Sequence, residues 1–132
     1  MIKASYQKLQ LEFKSPVLTS RGSMTHKNGY LIYITDGEKT GVGECSFIEG
    51  LSIDNLDLYE SKLDEVCVAI EQEKLTTLHL VNFPSIQFGV ECAWLDFKQG
   101  GNRILYSSDF TAGKKQIAIN GLVWMGSEHF MH

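Results

Sequence analysis

The chain has 132 residues, 43% of them hydrophobic, with twelve Lys and Arg against sixteen Asp and Glu and a formal net charge of -4. That is enough apolar material for one ordinary domain with a core, and it lacks the basic footprint of a nucleic-acid or anionic-membrane binder. Cys45, Cys67 and Cys92 are odd in number and form no CxxC pair, which argues against a disulfide frame or zinc knuckle and for reduced thiols.

The amino terminus, MIKASYQKLQLEF, is too polar for a signal peptide, and no apolar run approaches the roughly 18 residues of a membrane span. A soluble cytoplasmic protein is expected. Leu9, Leu11 and Phe13 then alternate with Gln10 and Glu12, the period of a strand with one buried face, ending near Lys14. Residues 15–28, SPVLTSRGSMTHKN, carry a proline, a glycine and several hydroxyls without a usable period. They predict a long loop, a feature often functional in compact domains. GYLIYIT and TGVGECS flank DGEK, whose Asp36 and Gly37 occupy hairpin positions, so Leu31 to Thr35 pairs with Thr40 to Cys45. With the first strand this makes a three-stranded antiparallel meander.

A second loop, Ser46 to Asn55, leads to Tyr59, Leu63, Val66, Cys67 and Ile70, spaced by threes and fours. This is an amphipathic helix fading near Glu73, with its polar residues facing water. Pro84 and Ser85 open a second helix, and Gly100 with Gly101 supplies a left-handed stop. Its two apolar stripes, Ile86-Val90-Ala93-Phe97 and Phe88-Cys92-Leu95, predict a central helix covered on most sides. Residues from about Gln116 to Val123 predict one short isolated strand, and the fold class is α+β.

Three segments, in this order, resemble the amino-terminal part of the muconate-lactonizing branch of the enolase superfamily. GVGECSFIEGLS, Gly41 to Ser52, is similar to the family's Gly-x-Gly-Glu strand end and following loop. PSIQFGVECAWLDF is similar to its central helix, with Glu91 and Asp96 in matching places, and AINGLVWMG to its first barrel strand. The SPVLTSRG segment extends the likeness toward the start.

The resemblance implies a capping domain over residues 1–113 and the start of a truncated (β/α) barrel over residues 114–132, a whole barrel taking about 250 residues. The activity it implies is that of a magnesium-dependent dehydratase of menaquinone biosynthesis. N-acylamino-acid racemisation, dipeptide epimerisation and muconate cycloisomerisation are the other reactions of the branch. In such chemistry a lysine removes the proton α to a carboxylate, and Mg2+ held by three carboxylates meets the developing charge. Those groups belong to later barrel strands, so no catalytic residue and no metal ligand is expected in this chain, which alone is expected to be inactive. The implied partner is a small-molecule carboxylate substrate bound together with the barrel, with no nucleic acid and no membrane. A free-standing binding or oligomerisation module of the same fold is the rival reading.

Substrate contacts are expected from Ser20, Arg21 and Gly22 in the first loop, where a guanidinium fork suits a carboxylate; the competing reading is a solvated loop arginine. Phe47, Leu51 and Ser52 are placed to line the mouth of a pocket, or else Phe47 and Leu51 pin their loop to the domain. Asn120 is expected at the carboxyl-terminal rim of the barrel strand, against a turn-forming Asn-Gly with Gly121. Glu44 and Glu91 read as structural carboxylates, and Cys45 as a small buried side chain and not a nucleophile. His26, His79, His129 and His132 form no metal motif. Gly41 and Gly43 read as sites of close packing or unusual backbone angle, and Gly50 as a turn.

Overall fold

The computed structural model describes residues 1–19, 22–74 and 78–121. Three strands, β1 (Lys3–Thr19), β2 (Gly22–Thr35) and β3 (Thr40–Ser46), form an antiparallel sheet in the order β1-β2-β3. The predicted meander is therefore present, with Thr35 opposite Thr40 and Tyr30 opposite Cys45. Its β2–β3 turn is held by the Asp36 carboxylate, which accepts the N–H groups of Glu38 and Lys39 at 3.0 Å each. Gly37 supplies a φ of +99° that a side chain would disfavour.

Two readings of the first thirty residues are corrected. Ala4 and Tyr6 of β1, with Ile2 just before it, pack on the core, while of the predicted face Leu9 and Phe13 are half-buried and Leu11 is exposed. The segment predicted as a long loop is instead the far half of a long hairpin. Beyond Glu12↔His26 the ladder slips, four residues of β1 lying opposite Thr25, and resumes at Val17↔Met24 to end at Thr19↔Gly22. Pro16 lies in that bulge, where its missing N–H breaks no ladder bond. The arm is mostly exposed, so no alternation of apolar residues marks it.

Two helices, α1 (Tyr59–Glu71) and α2 (Pro84–Lys98), cover the sheet. Tyr30, Ile32 and Ile34 of β2 form the core with Leu63, Val66 and Ile70 of α1 and with Ile86, Val90, Ala93 and Phe97 of α2. The polar residues of α1 face water, as its period predicts, and three of its exposed carboxylates also reach the sheet. The Tyr30 hydroxyl donates to Glu60 at 2.6 Å, the Tyr6 hydroxyl to Asp64 at 3.0 Å and the Ala4 N–H to Glu71 at 3.3 Å. Carboxylates at helical spacing thus fasten α1 to the sheet. Burial, helped by these carboxylates, pushes the Tyr6 hydroxyl up to about 12 and Tyr30 higher still.

The two stripes of α2 fare differently. Its first stripe and Gly89 are buried, whereas Phe88 is 63% exposed and Cys92 and Leu95 are half-buried, so the helix is covered on one side only. After Gly100 and Gly101, both left-handed as predicted, the chain folds back once. Asp96, fully buried, accepts the N–H of Val42 at 2.9 Å and of Arg103 at 2.6 Å and pairs with the Arg103 guanidinium. Burial opposes ionisation of this carboxyl, but the two N–H donors and the guanidinium outweigh it and hold it below the usual carboxylate range.

Beyond Arg103 the described chain is largely exposed, with Ile104, Tyr106, Phe110, Ile117 and Ile119 open to solvent. The strand predicted from about Gln116 is not formed over residues 116–121, where no strand among the described residues lies alongside to take its backbone hydrogen bonds; residues 122 and 123 lie outside the described region. Among the described residues no helix is long and apolar enough to cross a membrane.

Candidate functional site

The hairpin arm and the loop after β3 frame a cavity of about 260 Å³. Phe13 of β1, Ser23 to Asn28 of β2, and Phe47, Ile48 and Glu49 line it. It therefore stands between the two segments from which the sequence nominates substrate contacts.

The loop is locally closed. The Ser52 hydroxyl accepts the Ile48 N–H at 2.9 Å, while the N–H groups of Leu51 and Ser52 return to the Ile48 carbonyl at 3.0 and 2.8 Å. Gly50 makes this turn possible with a φ of +73°. Downstream, Asp54 is buried and accepts both the N–H and the hydroxyl of Ser85, at 3.0 and 2.7 Å. It caps α2 from outside the helix, and the Ser85 hydroxyl lies 2.5 Å from that of Tyr59.

The nominated residues are placed as follows. Ser20 and Arg21 lie outside the described residues. Gly22 opens β2 beside them with a φ of +127° and is exposed. Phe47 is 7% exposed, its ring 4.9 Å from Tyr59 and 6.4 Å from Tyr30, and it anchors the loop to the core while also bordering the cavity. Leu51 points outward at 54% exposure. The Ser52 hydroxyl bonds to its own loop, and Asn120 is exposed in the tail. The structure therefore brings Phe47 to the cavity, and does not bring Asn120 into any described element.

The other singled-out groups have the following surroundings. Glu44 is paired with Lys27 at 3.5 Å and Glu91 accepts from Gln87 at 2.9 Å. Cys45 is fully buried, and burial pushes its thiol up to about 12. Sequence reasoning missed Met24, His26, Asn28 and Glu49 on the cavity wall, because nothing local reveals that the segment around Thr25 is a strand facing a loop twenty residues later. A second and larger hollow, about 570 Å³, lies between α1 and α2 among Ile70, Val90, Trp94 and Leu95. Its wall is mainly carbon, with Glu73, Glu91 and Lys98 also bordering it.

A meander backed by two helices is the fold of the N-terminal domain of enolase-family proteins. The chain belongs to the MenC N-terminal domain family, described as "MenC, N-terminal domain", which matches residues 1–97. It is 32% identical over 164 aligned positions to the o-succinylbenzoate synthase of Desulfotalea psychrophila LSv54, covering 98% of this chain and 44% of that protein. The crystal structure of MenC from Desulfotalea psychrophila LSv54 superimposes with a TM-score of 0.77 at 26% identity, over 98% of this chain and 44% of that one.

Two more distant structures share the fold alone. One is the o-succinylbenzoate synthase of Thermosynechococcus elongatus BP-1, complexed with magnesium in its active site, at TM-score 0.62 and 19% identity over 71% of this chain and 29% of that one. The other is an Agrobacterium tumefaciens enolase family member with homology to dipeptide epimerases, holding sodium and L-Ala-L-Glu, at TM-score 0.62 and 18% identity over 76% and 31%. The chain spans less than half the length of the relatives it matches.

Among the described residues no three His, Cys, Asp or Glu side chains converge to hold a metal ion. The described residues thus offer no ready ligand set for a magnesium ion.

Proposed function

We propose that this chain is the capping, substrate-selecting part of an o-succinylbenzoate synthase, a dehydratase of menaquinone biosynthesis, with residues 1–113 forming the cap and residues 114–132 beginning a barrel. The observation that carries the reading is the cavity between the arm and the closed loop, in a chain whose relative extends well beyond it. On this reading the cap's work is to bind and to exclude water. Arg21, with Ser20 and Gly22, meets a substrate carboxylate from the arm; Phe47 and Leu51 offer carbon to a substrate ring; Ser52 keeps the loop closed; Asn120 faces the substrate from the barrel rim. Proton removal and the Mg2+ that assists it belong to the barrel, so the chain by itself is catalytically silent.

The exposed apolar residues of the tail, Ile117 and Ile119 among them, support a part made to be covered over a self-sufficient module. The test is complementation: the chain is mixed with the separately produced barrel of the Desulfotalea enzyme and assayed for dehydration of a cyclohexadiene carboxylate, N-acylamino-acid racemisation and dipeptide epimerisation. Dehydration only in the mixture is expected. Racemisation or epimerisation without dehydration overturns the assignment, as does activity of the chain alone.

A further inference from the structure

Resting on the reading of this chain as a substrate-selecting cap, we infer that Asn28 is a positioning residue that fixes the spacing between the arm and the closed loop. Asn28 is half-buried on β2 at the base of the arm, opposite Gln10 of β1. Both ends of its amide are used. Gln10 Nε2 donates to Asn28 Oδ1 at 3.2 Å, and Asn28 Nδ2 donates to Glu49 Oε1 at 2.8 Å.

The residue types are those the bridge requires. An ionised carboxylate only accepts, so Glu49 dictates that the amide nitrogen face it, leaving the amide oxygen for the Gln10 donor. The bond to Glu49 is charge-assisted and therefore stronger than a neutral one. An aspartate at position 28 would lose the donor and set two negative charges together. Because the loop closes on itself through Ile48, Leu51 and Ser52, a tether on Glu49 holds the whole turn. Asn28 and Glu49 both line the cavity, so the tether joins its arm wall to its loop wall and sets its width.

Amide hydrogen exchange on the 132-residue chain tests this. With Glu49→Ala, which removes one hydrogen bond, the Leu51 and Ser52 amides exchange about three- to tenfold faster; Asn28→Ala, which removes that bond and the one from Gln10, loosens them at least as much, while the Ile32 and Ile34 amides are unchanged in both. Glu49→Gln keeps an acceptor oxygen on a neutral group, so its exchange falls between wild type and Glu49→Ala. Should Glu49→Gln exchange as fast as Glu49→Ala, or should the core amides accelerate with the loop, the positioning role is overturned. If Asn28→Ala does not fold, the two Glu49 variants decide alone. In the complemented enzyme Asn28→Ala raises KM about fivefold with kcat within about twofold, and an unchanged KM alongside a loosened loop overturns the link to substrate. Exchange is read without catalysis, so an inactive complementation bears on the proposed function and not on the tether.

Discussion

Gly43 of β3 and Gly89 of α2 meet backbone to backbone: a Cβ on Gly43 would fall 1.8 Å from the Gly89 carbonyl oxygen, and one on Gly89 would fall 2.4 Å from Cys45 Sγ. Nothing stands between strand and helix, so α2 lies directly on the sheet. Gly41 continues the contact, its Cβ falling 2.1 Å from the Ala93 carbonyl oxygen. Gly43→Ala is expected to lower stability by about 3 kcal/mol or more, because the obstructing atom is backbone and cannot swing aside. Gly121, with open space around its Cα, should accept alanine within about 0.5 kcal/mol. Urea midpoints compare the two.

Acid should weaken the closure of α2 onto β3. Asp96 has its folded pKa depressed, so its stabilisation is fully present above the unfolded value of about 3.9 and is lost as pH falls through the folded one. Asp96→Asn is expected to cost about 2 kcal/mol at pH 7. The gap between wild type and variant should close toward pH 2 in urea titrations; a constant gap would contradict the ion pair with Arg103.

Removing the external cap should loosen a helix end and a loop together. Asp54→Ala leaves the Ser85 N–H without its described acceptor and is expected to cost about 1–2 kcal/mol. Faster exchange at Ser85 would accompany the loss, and unchanged stability would show that the cap is dispensable.

The thiols should be slow. Burial raises Cys45 to about 12 and Cys67 to about 11, and raises Cys92 as well; reaction goes through the thiolate, which at pH 8 is on the order of one part in ten thousand for Cys45. A thiol-specific dye should label Cys45 only after unfolding. Rapid labelling of the folded chain would show the site to be open.

The tail should behave as an uncovered surface. Ile119 is 86% exposed and Ile117 58%, so the chain alone should bind a hydrophobic dye, and addition of the complementing barrel should reduce that signal at least about twofold. Ile119→Ser should lower the signal of the free chain without moving its urea midpoint.

The meander between Leu31 and Cys45 was legible in the sequence because Asp36-Gly37 and the β-branched residues around it carry their instructions locally. The same holds for α1, where Leu63, Val66 and Ile70 show the helical period, and for α2, opened by Pro84 and closed by two glycines. The motifs of Gly41 to Ser52, of α2 and of AINGLVWMG, taken together and in order, also pointed to the family. The arm was not legible. Its strands bury little, so no apolar alternation appears between Ser15 and Asn28, and their pairing comes from backbone bonds that any sequence can make.

What the sequence alone determined about this protein is its class, α+β, the order of its elements and its kinship, since short-range period, turn chemistry and motif spacing are properties of a single stretch of chain. Tertiary structure decided which carboxylates became fasteners, that the arm and the loop frame one cavity, and that Asn28 bridges them. Those facts depend on residues distant along the chain, as with Asn28 and Glu49 or Asp54 and Ser85, meeting at hydrogen-bond distance. Distance-dependent bonds between remote groups leave no periodic mark in the sequence.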